Sequence, residues 1–184
     1  MKNSRDLALV IMLAVLSFVF MTLIGQVPQL ITGIPGIGYA FTIVYSITQS
    51  VGWLLFEGRR WRIFGLGSLF SLISLSLIQT WTLPVAMATI VNSLIVDLIF
   101  NSLHESFERK SKLIWWVILA QGYYWATHSI WILFLSLPFY PLEQILGNWF
   151  IPIMLVMLPV VIIEAIAGGF VGYKIFRRVE TVFG

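Results

Sequence analysis

The sequence predicts an all-α membrane protein: a single domain over residues 1–184, built as one bundle of six transmembrane helices with both termini cytoplasmic. Three observations carry that reading. Of 184 residues, 59% are hydrophobic and 10% charged, against roughly 45–50% and about 25% in soluble globular domains. With 15% aromatics and a mean hydropathy of +0.95, too little polar surface is left to coat a particle of this size in water. The apolar residues gather into six runs of about the length that crosses ~30 Å of hydrocarbon. The basic residues, finally, occupy only alternate connectors between those runs.

The first run, 7–24, follows Lys2 and Arg5. It exceeds the roughly 7–15 residues of a signal-peptide core and has no small-x-small cleavage site after it, so it is expected to remain as helix 1. The second, 34–56, is entered through Ile34-Pro35-Gly36-Ile37-Gly38. The third, 64–81, has the shortest apolar run, which ends at Ile78 and borrows 79–81 to complete a crossing. The fourth, 83–103, the fifth, 113–134, and the sixth, 149–173, are long enough by themselves. Small residues four apart, Gly67 and Ser71 in helix 3 and Ala165, Gly168, Gly169 and Gly172 in helix 6, mark faces where helix backbones approach closely.

All 11 Lys and Arg residues fall at Lys2 and Arg5, at Arg59, Arg60 and Arg62, at Arg109, Lys110 and Lys112, and at Lys174, Arg177 and Arg178. The connectors 25–33, 79–82 and 135–148 carry none. The positive-inside rule then places both termini in the cytoplasm of a multi-pass plasma-membrane protein. The same pattern accounts for a pI near 9.4 through orientation and lipid contact, and no nucleic-acid partner is expected.

Ionisable groups inside a bilayer are costly and therefore informative. Asp97 lies six residues from the inner end of helix 4, about 9 Å deep. It belongs to the four-spaced polar stripe Thr89–Ser93–Asp97–Asn101, with His104 beyond. Glu164 lies ten residues before Lys174, about 15 Å from it, on the face of Gly168 and Gly172. Two readings stand for these acids: proton or cation coupling, or hydrogen-bonding glue between helices. On helix 5, Gln121, Tyr124, His128 and Trp131 follow spacings of three, four and three and share a face. Amide, phenol, imidazole and indole so arranged suit a flat ligand that needs faces to stack on and a few oriented hydrogen bonds. Ordinary helix packing, with those polar atoms satisfied internally, is the competing account. From the outer connectors, Gln26, Gln29 and Tyr39, and then Glu143, Asn148 and Trp149, are candidate partners; Glu143 is the only acid expected outside.

Chemistry beyond binding has no motif. There is no GxxxxGK phosphate loop, no HExxH and no GxSxG elbow. With zero cysteines and two histidines, no thiol nucleophile or zinc–thiolate cluster can form. No catalytic residue, metal site or cofactor is expected.

Over nearly its whole length the chain resembles the substrate-binding (S) components of energy-coupling factor (ECF) vitamin transporters. The likeness rests on the size, the six helices and the inward ends. It rests also on Arg5-Asp6-Leu7-Ala8-Leu9, on Ile34-Pro35-Gly36-Ile37-Gly38, and on the closing Glu164-Ala165-Ile166-Ala167-Gly168-Gly169-Phe170-Val171-Gly172-Tyr173-Lys174-Ile175-Phe176-Arg177-Arg178. Where the family often sets alanines four apart on helix 1, Ala8 is followed at that spacing by Met12. The resemblance implies a high-affinity binder of a vitamin or vitamin precursor, held in the outer half of the bundle, with a thiamine-like flat heterocycle favoured. It implies as partners a transmembrane coupling subunit and two cytoplasmic ATPase subunits. The alternative is a self-sufficient proton-coupled carrier using Asp97 and Glu164.

Overall fold

The computed structural model describes residues 2–32, 42–77, 82–141 and 150–183. Among these residues the chain forms six helices, with tight turns at 56–61 and 110–112 and no strand. Helix α1 covers 2–32, wound as a π-helix over Met21–Gln26. Then follow α2 (Thr42–Leu55), α3 (Arg62–Leu77), α4 (Leu83–Arg109), α5 (Leu113–Ser136) and α6 (Phe150–Phe183).

Most of these helices outrun the apolar segments that announce them. Segment 25–32, expected as connector, continues α1. Pro28 has no N–H and would clash with the carbonyl four residues back in a regular helix. The wider π-turn just before it, closed by the Val27 N–H on the Thr22 carbonyl, lets the helix pass. Helix α4 runs to Arg109 rather than 103, and α6 runs to Phe183 rather than 173. Glu105–Arg109 and Arg177–Glu180 ion pairs brace those polar last turns.

Around the bundle the helices neighbour one another in the order α1, α3, α4, α5, α6, α2 and back to α1. Consecutive helices alternate in direction. Asp97 meets Phe64 while Ser93 meets Gly67, so α4 runs against α3. Asn92 meets Tyr124 while Phe100 meets Trp116, so α5 runs against α4. Helix α6 runs alongside α2, Gly168 against Ser46 and Gly172 against Ser50. A methyl group at Gly168 would sit 2.6 Å from Ser46 Cβ, and one at Gly67 1.9 Å from Ser93 Oγ, so these glycines set the closeness of two helix pairs. The small-residue faces read from the sequence are thus turned to neighbours within the bundle.

One end gathers every basic cluster. At the start of α1, Asp6 pairs with Arg59 of the α2–α3 turn and with Arg62 at the start of α3 (2.5 and 3.1 Å). That turn backs onto His104 of α4 through Gly58, and Asn101 Nδ2 donates to the Arg59 carbonyl at 3.2 Å. The α4–α5 turn and the last turns of α6 complete this basic end.

Between the ends, polar side chains share the interior with an apolar core while large apolar side chains face outward. Ser46, Ser71, Ser74, Asn92, Ser93, Gln121 and His128 are buried, whereas Leu7, Ile11, Val15 and Val19 of α1 and Val156, Ile163 and Phe170 of α6 face outward. Three helical stretches, Asp6–Ile24, Leu83–Arg109 and Val156–Glu180, are long and apolar enough to cross a membrane; Arg62–Leu77 is apolar but shorter. An apolar girdle over an interior that is partly polar is the surface of a membrane-associated helical protein.

Candidate functional site

The two deep acids are turned to backbone amides of neighbouring helices. Asp97 Oδ1 accepts the Trp61 N–H at 2.8 Å and Oδ2 the Phe64 N–H at 2.9 Å. These are two of the donors that the first turn of α3 cannot satisfy by itself, so Asp97 caps α3 from α4. Asn101 Nδ2 donates to the same carboxylate at 3.2 Å. Residues four apart on an α-helix drift by about 40°; the π-wound stretch Val96–Phe100 takes up that drift and keeps Asp97 and Asn101 on the buried face of Thr89 and Ser93. Glu164 plays the matching part for α2: its Oε2 accepts the Ile43 N–H at 3.2 Å, in the first described turn of that helix. Each acid therefore ties two helices together, as the glue reading anticipates.

The helix-5 stripe divides. Gln121, Tyr124 and His128 are buried in the interior of the bundle. Trp131 is half-buried one turn further on, in a satellite apolar cluster with Val85, Ala88, Ile132 and Leu135. Tyr124 and His128 stack at 5.8 Å between ring centroids, and Trp125 stands 5.7 Å from His128 and 5.4 Å from Tyr124. Helix α2 covers this group with Tyr45, 6.2 Å from Trp125, and Trp53, 5.8 Å from Tyr124. From α4, Thr89 Oγ1 lies 3.1 Å from His128 Nε2, and Asn92 donates to the Tyr124 carbonyl at 3.0 Å. The Tyr124 hydroxyl sits among Ser93, Thr89 and Gln49.

Within this aromatic enclosure several polar atoms have no partner: both ends of the Gln121 carboxamide, Trp125 Nε1 and His128 Nδ1. A buried donor or acceptor left unsatisfied costs about 1–3 kcal/mol, and native interiors hold few of them. Four such atoms on one face of α5, two of them on rings of the aromatic group, make this the candidate ligand-contacting region of the bundle. Among the described residues no group of His, Asp and Glu is placed to hold a metal ion.

Trp125, Tyr45, Gln49 and Trp53 were not among the sequence candidates. Tyr45, Gln49 and Trp53 nevertheless follow the four-residue spacing of one helical face, a second polar–aromatic stripe that pairs with the one on α5. Glu143, Asn148, Trp149 and Tyr39 lie outside the described residues. Gln26 and Gln29 fall in the last turns of α1. No protein-family model, curated protein or solved structure matches the chain.

Proposed function

We propose that this chain is the substrate-capture subunit of an ECF-type uptake transporter, crossing the plasma membrane six times with its basic end in the cytoplasm. It binds a flat, vitamin-like heterocycle held from the middle of the bundle into the half away from that end. Coupling and ATPase subunits supply the energy for delivery. The observation that carries the binding role is the set of unpartnered polar atoms on Gln121, Trp125 and His128 inside a wall of aromatic rings. The asymmetric charge supports the orientation, since lysine and arginine outside the hydrocarbon concentrate on the cytoplasmic side. The rival carrier mechanism would ask Asp97 and Glu164 to take up and release protons; both hold backbone amides in place, and that reading gains nothing from them.

The test is thermal unfolding of the detergent-purified chain against thiamine, its pyrimidine moiety, riboflavin, biotin, pantothenate and folate. A ligand at a thousandfold excess over Kd adds about 4 kcal/mol to the folded state. One compound is expected to stabilise the protein strongly, and Gln121→Leu to abolish that gain. Replacing an unpartnered carboxamide by an apolar group of similar size should leave the ligand-free protein as stable as before, or more so. Silence across the panel would refute the capture role.

A further inference from the structure

The hydrogen-bonding polarity of the unpartnered atoms says more about the ligand than its flatness does. Gln121, Trp125 and His128 are 0%, 9% and 6% exposed, and they lie at i, i+4 and i+7 on one face of α5. The Thr89 hydroxyl has a single hydrogen and three neighbours, the Val85 carbonyl at 3.1 Å, His128 Nε2 at 3.1 Å and the Tyr124 hydroxyl, which can donate to its second lone pair. All three contacts are hydrogen bonds only if Thr89 donates to Val85 and accepts from the histidine and the tyrosine. A neutral His128 then carries its proton on Nε2, and its unpartnered Nδ1 is an acceptor. The Trp125 indole nitrogen can only donate, and the Gln121 carboxamide offers one acceptor beside donors. Among the described residues no cation is at hand: the lysines and arginines lie at the basic end, while Gln121 to His128 stand about 12 to 22 Å along α5 from Leu113. An anion buried there would have no countercharge.

We infer that the site selects a non-anionic nitrogen heterocycle that donates a hydrogen bond to His128 Nδ1 and accepts one from the Trp125 indole, with Gln121 reading an adjacent donor–acceptor edge. This deepens the capture reading and rests on it. Carboxylated or phosphorylated ligands are excluded, and so are rings whose exocyclic nitrogen has lost its hydrogens.

Calorimetric binding to the full chain in detergent tests this with four probes. These are 4-aminopyrimidine, 4-(dimethylamino)pyrimidine without the donor, aniline without the ring acceptors, and pyrimidine-4-carboxylate with an added anion. Wild type is expected to bind 4-aminopyrimidine about tenfold or more tighter than the dimethylamino compound and than aniline, and the carboxylate not at all. In His128→Phe the preference over the dimethylamino compound should vanish. In Trp125→Phe, which keeps a ring in place, the preference over aniline should vanish instead, so each variant tests the assignment even if the other fails to fold. Equal binding of the neutral probes to wild type, a preference that survives in its matched variant, or tightest binding of the carboxylate would each overturn the inference while leaving a capture subunit standing. Silence of all four probes overturns it too, and silence of the vitamin panel as well overturns the reading beneath it.

Discussion

Asp97→Asn separates a capping carboxylate from a coupling one. In the native chain, two charge-assisted bonds of 2.8 and 2.9 Å anchor the first turn of α3, each worth about 1.5–3 kcal/mol. The turn before α3 depends on them, because Glu57, Gly58 and Trp61 have φ of 52°, 69° and 68°. Such left-handed conformations at a non-glycine residue cost of order 1–3 kcal/mol and persist only where the surroundings hold them. An asparagine keeps one acceptor but sets its NH2 against the second backbone N–H, so one bond is lost and a donor stays buried. The expected destabilisation is about 3 kcal/mol. Asp97→Ala loses both bonds and should cost more, about 4–5 kcal/mol. Unfolding in detergent gives the magnitude, and amide exchange at Phe64, with its native acceptor gone, should accelerate markedly. Binding of the ligand at α5 should survive in Asp97→Asn. An Asn variant as stable as wild type, with Phe64 still protected, would refute the capping argument; if that variant also lost uptake, the carboxylate would be a coupling group after all.

Three further outcomes follow from the geometry. Gly168→Ala places a methyl 2.7 Å from the Ile43 carbonyl and 2.6 Å from Ser46 Cβ, and should destabilise by about 1–3 kcal/mol. Gly65→Ala, whose new methyl meets nothing nearer than Val10 at 3.8 Å, should stabilise by about 0.5–1 kcal/mol; thermal unfolding of the two side by side measures the contrast. Gln121→Leu should raise or preserve ligand-free stability while removing ligand-induced stabilisation, read in the same assay. Because the chain has no cysteine, the proposed topology can be read by single cysteines: those at Lys110 and Arg178 should then react with a membrane-impermeant reagent only from the cytoplasmic side, and one at Tyr140 only from the outside.

How much of this was legible in the sequence depends on the length scale of the signal. Helix number and order follow from apolar run length, and the basic end from clusters that recur in every second connector; both signals integrate over many residues. Helix ends are less visible, because α4 and α6 leave the apolar zone as amphipathic helices held by i,i+3 and i,i+4 ion pairs, where hydropathy has already fallen. The α1 extension hides behind Pro28, which reads as a breaker unless a π-turn precedes it. Asp97 and Glu164 stand out in the sequence as acids within apolar runs, but their partners do not. A backbone N–H has no residue identity, so a carboxylate that caps another helix leaves no pattern. On α5 the three-and-four spacing found Gln121, Tyr124 and His128, yet put Trp131 with them. Trp125, in phase with Gln121 and His128, carries the unpartnered indole nitrogen instead.

Hydroxyls supply an independent measure of where the interior asks for a partner. In a dry helical interior a serine or threonine ordinarily turns its hydrogen to the carbonyl three or four residues back. Thr22, Thr48, Ser76 and Ser136 all do so, at 2.7 to 3.1 Å, whether exposed or half-buried. Ser71 and Ser74, fully buried on α3, do not. Gly67 on that helix meets Ser93, so by antiparallel register Ser71 stands level with Thr89, which meets His128. Unpartnered atoms on α3 and α5 thus flank the same depth of the bundle from opposite sides of α4. The carboxylates tell the converse story: Asp97 and Glu164, the groups most expensive to leave bare, are engaged by backbone amides. A bundle that were polar merely to glue its helices would satisfy the cheap groups as readily as the expensive ones. Here the two carboxylates are matched, while neutral atoms are left open on α3 and α5 and also at Asn101 and His104 near the basic end; under the proposed function, the set on α5 is the part of that unmatched polarity that a neutral guest would complete.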